Sequence, residues 1–213
     1  MYTPPSFVVD NLETLHNFIQ AHSFGVLTSV HNKAPVASHL PLLLERDSGD
    51  RGTLVGHMAR ANPQWKTAAD TEVLVVFHGP HAYISPSWFG DTNVVPTWNY
   101  VAVHVYGTVK IENDPQELHD IVRRYVNFYE ATMPTPWELE SAEDAFVTQL
   151  VEAIVGFTIT IDRIEGKSKL NQNHSAERQQ KVLNGLQQRD WPGDGEIADL
   201  MQRALDEQPK LPT

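Results

Sequence analysis

The chain has 213 residues, of which 41% are hydrophobic and 20% are charged, a composition typical of a globular protein with a buried core. Its formal net charge of -11 weighs against a broad nucleic-acid-binding surface, because contact with phosphates needs a basic face. The sequence contains no cysteine, which excludes disulfide bonds and thiolate metal sites.

No apolar run approaches the roughly 20 residues of a membrane-spanning helix, and the N-terminal segment lacks the basic and apolar regions of a signal peptide. We therefore expect a cytoplasmic protein. The length predicts one domain, or one domain with an appendage.

The first part of the chain predicts one helix and a β-hairpin. The helix begins at Asp10, because Glu13 follows at the spacing of a capping box and an apolar stripe comes with it. Residues 24–30 and 35–44 predict two strands joined by a turn at residues 31–33, since alternating segments flank a polar tripeptide.

Two further strands are predicted at residues 53–58 and 72–78. The second is apolar on both faces, which is typical of a strand inside a closed or covered sheet. Residues 101–111 predict another strand, with valines on one face and His104 and Tyr106 on the other. Hairpins in series favour an antiparallel barrel over a doubly wound sheet, so we predict a mainly β protein with helices, in the α+β class.

Helices follow these strands in the prediction. Asp114 predicts the N-cap of one helix, because a proline and an apolar stripe come directly after it. Ser141 predicts the cap of a second helix, whose apolar stripe consists of Phe146, Leu150 and Ile154.

The chain then predicts a strand, a loop and two helices. Residues 157–161 form the last strand, and residues 166–173 form a polar loop. Ser175 predicts the cap of the next helix. Residues 190–195 predict a linker to a short amphipathic helix at residues 196–205, which can pack on its own domain or on a partner chain.

The stretch from His78 to Tyr106 is dense in aromatic and imidazole side chains, which usually form either core or the wall of a site for a flat ligand. Histidines in and near this stretch raise the question of a metal site. None has the spacing of a helical metal site, and there is no HExxH pattern, although strand histidines can still meet in space. We predict no tight metal site at these histidines: His39, His57, His78, His81 and His104.

Two polar segments are candidate anion sites. Arg60 lies just ahead of Asn62 and Pro63, which predict a helix start whose free backbone amides suit a phosphate. The alternative is a capped helix with a surface arginine. Residues 167–173 can offer cations and amides to a second anionic group, or form a solvated loop.

Candidate catalytic groups are few. His39 shares a strand face with Ala37, whose small side chain leaves room for a ligand, and we expect the histidine ring to point inward. An inward histidine is more often a satisfied core residue than a functional one. His57 and Tyr83 are the other candidate acids or bases. No nucleophile elbow, P-loop or Rossmann fingerprint is present.

Six motifs, taken together, resemble the PaiB-like family, which is described as FMN-binding negative transcriptional regulators. The resemblance spans roughly residues 1–186 and departs from the family pattern at Asn171 and His174, where a serine and an arginine are expected. The motifs are FGVLT (residues 24–28), SHLPL (38–42), GHMARANPQW (56–65), GPHAYISPSW (79–88), VPTWNY (95–100) and GKSKLNQN (166–173).

The resemblance implies a split β-barrel of the flavin-reductase and pyridoxamine-phosphate-oxidase kind. Such proteins are homodimers with FMN in grooves at the subunit interface. We expect residues 1–189 to form this domain, with peripheral helices, and residues 190–213 to add a linker and a short helix.

The resemblance also implies the FMN-binding residues. The flavin ring, ribityl chain and phosphate would be held by two segments: Ser38, His39, Leu40 and Pro41, and Gly56, His57, Met58, Ala59, Arg60 and Asn62. The isoalloxazine would be walled by Tyr83, Ser85, Trp88 and Trp98, the last from either subunit. Lys169 and Gln172 would close the site.

Three functions stay open. The first is a flavin-reductase-like oxidoreductase, in which FMN takes hydride from a reduced nicotinamide cofactor. The second is a regulator that binds FMN and controls transcription. The negative net charge and the lack of a basic recognition helix make direct DNA binding doubtful. Regulation through a protein partner does not require a basic surface. The third is a haem-handling split-barrel protein with a histidine as axial ligand.

Overall fold

The computed structural model describes residues 1–206, which form strands, α-helices and three short 3₁₀ turns. The strands are β1 (Val8–Val9), β2 (Phe24–His31), β3 (Ala34–Pro41), β4 (Leu43–Glu45), β5 (Thr53–Ala59), β6 (Glu72–Ile84), β7 (Thr97–Glu112) and β8 (Ile154–Lys169). The α-helices are α1 (Leu12–Ala21), α2 (Gln64–Ala68), α3 (Pro115–Glu130), α4 (Asp144–Glu152), α5 (Ala176–Arg189) and α6 (Asp194–Asp206).

The strands form one sheet in the order β3-β2-β6-β7-β8-β5-β4, and β1 pairs with β8. The β2–β3, β2–β6, β4–β5 and β5–β8 pairs are all antiparallel. This mostly antiparallel sheet with helices confirms the predicted α+β class.

Contacts within the chain divide it into two compact units. Unit 1 comprises Met1–Asn11, His78–Val103 and residues 165–206. Unit 2 comprises Leu12–Phe77 and His104–Ile164. Strands β6, β7 and β8 each contribute residues to both units.

The predicted hairpin of unit 2 is confirmed. β2 and β3 pair from Phe24 with Pro41 to His31 with Ala34. The turn residues Asn32 and Lys33 have φ angles of 50° and 66°, and two successive positive φ values are the signature of a tight hairpin turn. The second strand is shorter than predicted because β3 ends at Pro41 and a separate strand, β4, pairs with β5.

The part of β6 that lies in unit 2, residues 72–77, has one fully buried face. Val73, Val75 and Phe77 are buried, whereas Leu74 and Val76 on the opposite face are only half-buried. The prediction that both faces are buried is therefore wrong here, because an apolar residue on a sheet need not be covered completely.

Of the two helix starts predicted in unit 2, that of α3 is correct and that of α4 is wrong. Asp114 caps α3 as predicted, since its carboxylate accepts hydrogen bonds from the backbone N–H groups of Gln116 and Glu117. Ser141, however, ends a 3₁₀ turn, and the second helix, α4, begins only at Asp144.

The apolar stripe of α4 also differs from the prediction. Phe146 and Leu150 are 55% and 52% exposed. The buried face instead carries Val147 and Val151, which pack in a cluster with Leu118. Two apolar stripes one residue apart on the same helix make the buried face ambiguous from periodicity alone.

Unit 1 corrects the predicted polar loop. β8 continues to Lys169, because Lys167 and Gly166 pair with Val8 and Val9 of β1. The first four residues of the predicted loop, 166–169, are therefore strand. Ser175 caps α5 as predicted by accepting a hydrogen bond from the backbone N–H of Arg178.

The last helix packs within unit 1. α6 begins at Asp194, inside the predicted linker, and contacts α5. Ile197 and Met201 on its inner face are fully buried. The sequence left open whether this helix packs on its own domain or on a partner chain, and in the structure its apolar stripe packs on its own chain.

None of the helices within residues 1–206 combines the length and the apolar character needed to cross a membrane.

Gly56 on β5 is packed so closely that a side chain cannot fit without movement. A Cβ atom there would lie 2.3 Å from the Phe157 ring and 2.7 Å from the Leu42 side chain. We expect Gly56→Ala to lower the free energy of unfolding by about 1–3 kcal/mol, measured by urea denaturation. Gly195→Ala in α6 is the control, because a Cβ there meets nothing within 4 Å, and unchanged stability of Gly56→Ala would contradict the close packing.

Candidate functional site

Unit 2 brings Ser38 and Asn62 together. The Asn62 side-chain N–H donates to the Ser38 hydroxyl at 2.9 Å, and its carbonyl accepts from the Gln64 backbone N–H at 3.0 Å. The N-cap residue of α2 is Pro63 and not Asn62, so the predicted cap lies one residue too early, and the Asn62 side chain instead forms the turn that precedes α2 and joins it to β3. α2 itself is only five residues long.

Gln64, which the sequence analysis did not single out, anchors α2 to the β2–β3 hairpin. Its side-chain N–H donates to the carbonyls of Leu27 and Val36 and to the Ser29 hydroxyl. The side chain is almost completely buried. A glutamine in the first turn of a helix is usually solvated, so the sequence carried no signal for this role.

The predicted segment from Ser38 to Pro41 does not face one side. Successive residues on a strand point to opposite faces. Ser38 contacts Asn62, whereas His39 is exposed and lies 6.3 Å, ring centre to ring centre, from Phe24. Leu40 shares a face with Ser38, and Pro41 shares a face with His39.

His39 does not point inward, and that prediction is wrong. β3 lies at one end of the strand order, and within residues 1–206 the face that carries Pro35, Ala37 and His39 is exposed. Phe24, next to His39 on this face, is 64% exposed.

The predicted FMN-binding segment on β5, like the one on β3, has side chains on both faces of its strand. Gly56 and Met58 are buried in the core, and Ala59 is exposed. His57 points to the opposite face from Gly56 and Met58 and lies edge-on to Tyr125, with ring centres 4.8 Å apart.

His57 lines an apolar cavity of about 250 Å³ beneath α3 and α4. Its Nδ1 atom is buried and has no hydrogen-bond partner among the described residues. Burial lowers the pKa of His57, so the ring is neutral at physiological pH. The cavity walls are apolar side chains: Val122, Trp137, Leu139, Ala142, Phe146, Val147, Leu150, Val151 and Ile154.

Arg60 binds the carboxyl end of α4. Its guanidinium donates to the carbonyl of Glu152 at 2.8 Å, to the carbonyl of Ile154 at 2.6 Å and to the Asn113 side chain at 3.2 Å. Carbonyl groups at a helix C-terminus carry partial negative charge and favour a cation. Arg60 therefore has a structural role, and two of the five N–H groups of its guanidinium remain for other acceptors.

Unit 1 brings three predicted site residues together: Trp98, Tyr83 and Lys169. The Trp98 ring is 52% exposed. It lies edge-on to Tyr83, with ring centres 5.9 Å apart, and 6.0 Å from the His81 ring. The Lys169 ammonium donates to the Trp98 carbonyl at 2.8 Å and to the Thr97 hydroxyl, which fixes the backbone under the ring.

Ser85 and Trp88 have structural contacts of their own. The Ser85 hydroxyl caps the 3₁₀ turn Pro86–Trp88 by accepting from the Ser87 backbone N–H at 3.2 Å. The Trp88 ring packs on α5, where a Cβ on Gly185 would lie 2.3 Å from it, and the Arg189 guanidinium lies 4.9 Å from the ring centre. Trp88 is therefore held in the contact with α5.

Gln172 and Asn171 shape the turn after β8. The Gln172 side chain donates to the Ser168 carbonyl at 2.6 Å and accepts from the Leu170 N–H at 2.7 Å, so its amide stabilises the turn. Asn171 has a φ of 65° and is 2% exposed. Asn171 was noted in the sequence only as a departure from the family pattern, and burial of its amide was not predicted.

Among residues 1–206, no three His, Asp or Glu side chains lie close enough together to hold a metal ion.

Comparison with known families and proteins gives a consistent result. Residues 1–163 match a family model described as "Putative FMN-binding domain". The chain is 38% identical to "Protease synthase and sporulation protein PAI 2" of Bacillus subtilis over 98% of this chain and 100% of that protein. It is 29% identical to an uncharacterized protein of Aspergillus fumigatus, over 88% of this chain and 91% of that one.

Solved structures share the fold. The flavocytochrome Anf3 from Azotobacter vinelandii has a TM-score of 0.58 at 13% identity, over 76% of this chain and 69% of that one. The FAD and heme binding protein from Mycobacterium smegmatis has a TM-score of 0.57 at 15% identity, over 87% of this chain and 82% of that one. At these identities the likeness concerns the fold alone.

Removal of the Arg60 guanidinium should destabilise the protein, because carbonyls at the end of α4 lose a charged donor. We expect Arg60→Ala to lower the free energy of unfolding by about 1–3 kcal/mol, measured by urea denaturation of FMN-free protein. Arg203→Ala, which removes an exposed arginine from α6, serves as the matched charge control. Equal stability of the two variants would show that the three contacts of Arg60 add nothing.

Proposed function

Because the chain belongs to the PaiB-like family of FMN-binding proteins, which has a split-barrel fold and FMN as cofactor, we propose that it is a flavin-reductase-like oxidoreductase. When bound, FMN supplies the redox chemistry by accepting a hydride from a reduced nicotinamide cofactor. The protein binds and orients the two cofactors. Hydride transfer between them needs no side-chain nucleophile, which agrees with the absence of a nucleophile motif from the sequence.

The main observation behind this proposal is the exposed ring of Trp98. Flat ligands bind to aromatic surfaces that keep one face or edge open, and Trp98 is half-exposed while Tyr83 supports it edge-on. Lys169 holds the Trp98 carbonyl, so the ring sits on a fixed backbone. This set supports contact with the isoalloxazine of FMN, and it lies entirely within unit 1.

Unit 2, taken by itself, has polar groups that suit a phosphate. The Ser38 hydroxyl and the Asn62 amide are half-exposed and already bonded to each other, so they present a fixed polar surface. Arg60 is exposed and keeps two free N–H groups. A phosphate held there would have a cation and neutral donors around it.

His57 contributes a neutral hydrogen-bonding group and not a cation, because burial lowers the pKa of His57. A neutral imidazole with an unpartnered Nδ1 can orient a ligand that enters the cavity under α3 and α4. We assign no acid or base to the reaction.

We further propose that the protein is a homodimer with FMN at the subunit interface. The outer face of the β2–β3 hairpin supports this proposal. Phe24 and Val30 on that face are 64% and 67% exposed, and Pro35, Ala37 and His39 next to them are also exposed. An apolar sheet face of this kind is typical of a surface that a second copy covers.

Regulation is the second candidate function. The Bacillus subtilis relative is named a "Protease synthase and sporulation protein", and a link to sporulation favours a regulatory role. The net charge of -11 weighs against direct contact with DNA, so a regulator of this composition would act through a protein partner.

The absorbance spectrum of the purified protein, with mass spectrometry of the co-purified ligand, tests the cofactor. We expect flavin bands and FMN. Trp98→Ala should weaken FMN binding by about 1–2 kcal/mol through loss of ring contact, and Arg60→Ala by about 1–3 kcal/mol through loss of a charge-assisted bond. Phe128→Ala, which removes a partly exposed ring from α3, is the control.

Assays of NADH and NADPH oxidation then distinguish the oxidoreductase from the regulator. The proposal expects turnover above the rate with free FMN, and a loss of that turnover in Trp98→Ala. FMN binding without turnover, together with a protein partner or a salt-sensitive shift of promoter DNA, would favour the regulator.

Sedimentation velocity tests the dimer. Phe24→Glu places a charge on the outer face of the hairpin, and we expect it to convert a dimer to monomers because a buried carboxylate is costly. Phe128→Glu, at a partly exposed ring on α3, should stay dimeric. A monomeric wild-type protein, or a dimeric Phe24→Glu protein, would contradict the proposed interface.

A further inference from the structure

Helix α4 has a second apolar stripe, which lines a cavity. Val147 and Val151 pack in the cluster with Leu118, whereas Phe146 and Leu150 are exposed to solvent. Both exposed side chains line the cavity of about 250 Å³ beneath α3 and α4, which we call the α4 cavity. Large apolar side chains that are exposed side by side are typical of a surface that contacts another molecule.

The walls of the α4 cavity are held in place at both ends of the helix. Before α4, the exposed Trp137 lines the cavity, and its backbone N–H donates to the Glu130 carboxylate at 2.9 Å. After α4, Ile154 lines the cavity, and its carbonyl accepts from the Arg60 guanidinium at 2.6 Å. An engineered apolar cavity of roughly 150 Å³ binds benzene, so the larger α4 cavity suits a molecule with two fused rings.

His57 brings an imidazole to a wall that is otherwise apolar apart from the Trp137 indole. Neither ring nitrogen of His57 has a hydrogen-bond partner in the part of the chain that the structure describes. The ring lies edge-on to Tyr125, and burial lowers the pKa of His57, so the imidazole is neutral at physiological pH. A neutral imidazole has one donor and one acceptor nitrogen, and either can pair with a hydroxyl group.

The α4 cavity does not suit an anion. Within residues 1–206, no lysine or arginine lines it, so a phosphate that entered would lose its hydration and gain no counter-charge. Of the residues that the family resemblance implies for FMN, His57 is the one that lines this cavity. The phosphorylated FMN therefore does not fit the chemistry of these walls.

We propose that the α4 cavity binds a small neutral aromatic molecule with one hydroxyl group, whose rings pack on Phe146, Leu150 and Trp137 while the hydroxyl pairs with His57. The concave shape favours a small molecule over a protein partner, because a stable protein interface buries roughly 1,000 Å² or more. The ligand is separate from FMN, and the assignment does not depend on the redox activity.

Equilibrium dialysis of the full-length protein with three naphthalene compounds tests the proposal, with and without saturating FMN. At neutral pH, 2-naphthol has the rings and one hydroxyl, naphthalene has the rings alone, and 2-naphthoate carries a negative charge. We expect saturable binding of 2-naphthol. Naphthalene should bind roughly threefold to tenfold more weakly because it lacks the hydrogen bond, and 2-naphthoate at least roughly tenfold more weakly because its charge stays unpaired.

Two variants with the same added charge locate the site. Leu150→Glu places a carboxylate in the cavity wall at an exposed position, and we expect it to weaken 2-naphthol binding by at least roughly tenfold. Gln149→Glu adds the charge to the next residue of α4, which is exposed but does not line the cavity, and should leave the affinity unchanged. Circular dichroism checks that both variants are folded.

His57→Phe tests the hydrogen bond, because it keeps an aromatic ring and removes both nitrogens. We expect 2-naphthol to bind this variant no more tightly than naphthalene does, while the affinity for naphthalene stays within about twofold of the wild-type value. A loss of cavity structure would weaken both ligands equally. A preference for 2-naphthol that persists in His57→Phe would contradict the assigned role of the imidazole.

Other results would overturn the proposed site as a whole. They are an absence of saturable 2-naphthol binding, equal affinity of Leu150→Glu and Gln149→Glu, equal affinity for 2-naphthol and 2-naphthoate, and displacement of 2-naphthol by FMN. A changed sedimentation coefficient of Leu150→Glu, without 2-naphthol binding to the wild type, would assign the wall to a protein interface instead. Dialysis of FMN-free protein requires neither cofactor nor turnover, so failure here is distinct from failure of the proposed oxidoreductase.

Discussion

The hydroxyl of Tyr125 holds together the two segments of unit 2 on which the proposed FMN site depends. Its oxygen lies 2.7 Å from the carbonyl oxygen of Pro41, at the end of β3, and 2.8 Å from that of Val55 on β5, so the two carbonyls share its single proton. Burial raises the pKa of Tyr125, so the hydroxyl keeps its proton over the whole physiological range. Because one helix side chain fixes both strand segments, the positions of Ser38 and His57 relative to each other depend on α3.

The local elements were largely predictable because their signals lie within a few residues of each other. The turn at Asn32 and Lys33, the cap of α3 at Asp114 and the cap of α5 at Ser175 all follow from short-range hydrogen bonding and allowed φ angles. The choice of buried face on α4 was not predictable, because two apolar stripes compete and the packing of Leu118 decides between them.

The candidate site was predictable in part. Tyr83, Trp98 and Lys169 were selected from the sequence, and they do lie together. The roles of Arg60 and Gln64 depend on carbonyl groups far along the chain, those of Glu152 and Leu27 for example, and a single sequence does not show which distant carbonyl a donor meets. The separation of neighbouring residues such as Ser38 and His39 to opposite faces follows from strand geometry.

The edge position of β3 has a consequence for how copies of the chain meet. A free sheet edge can extend by pairing with the edge of another molecule, which leads to open-ended aggregation. β3 carries prolines at positions 35 and 41, and proline has no N–H to donate to an added strand. The two prolines thereby hinder the addition of a further strand at this edge, and with it the growth of an open-ended ribbon from β3.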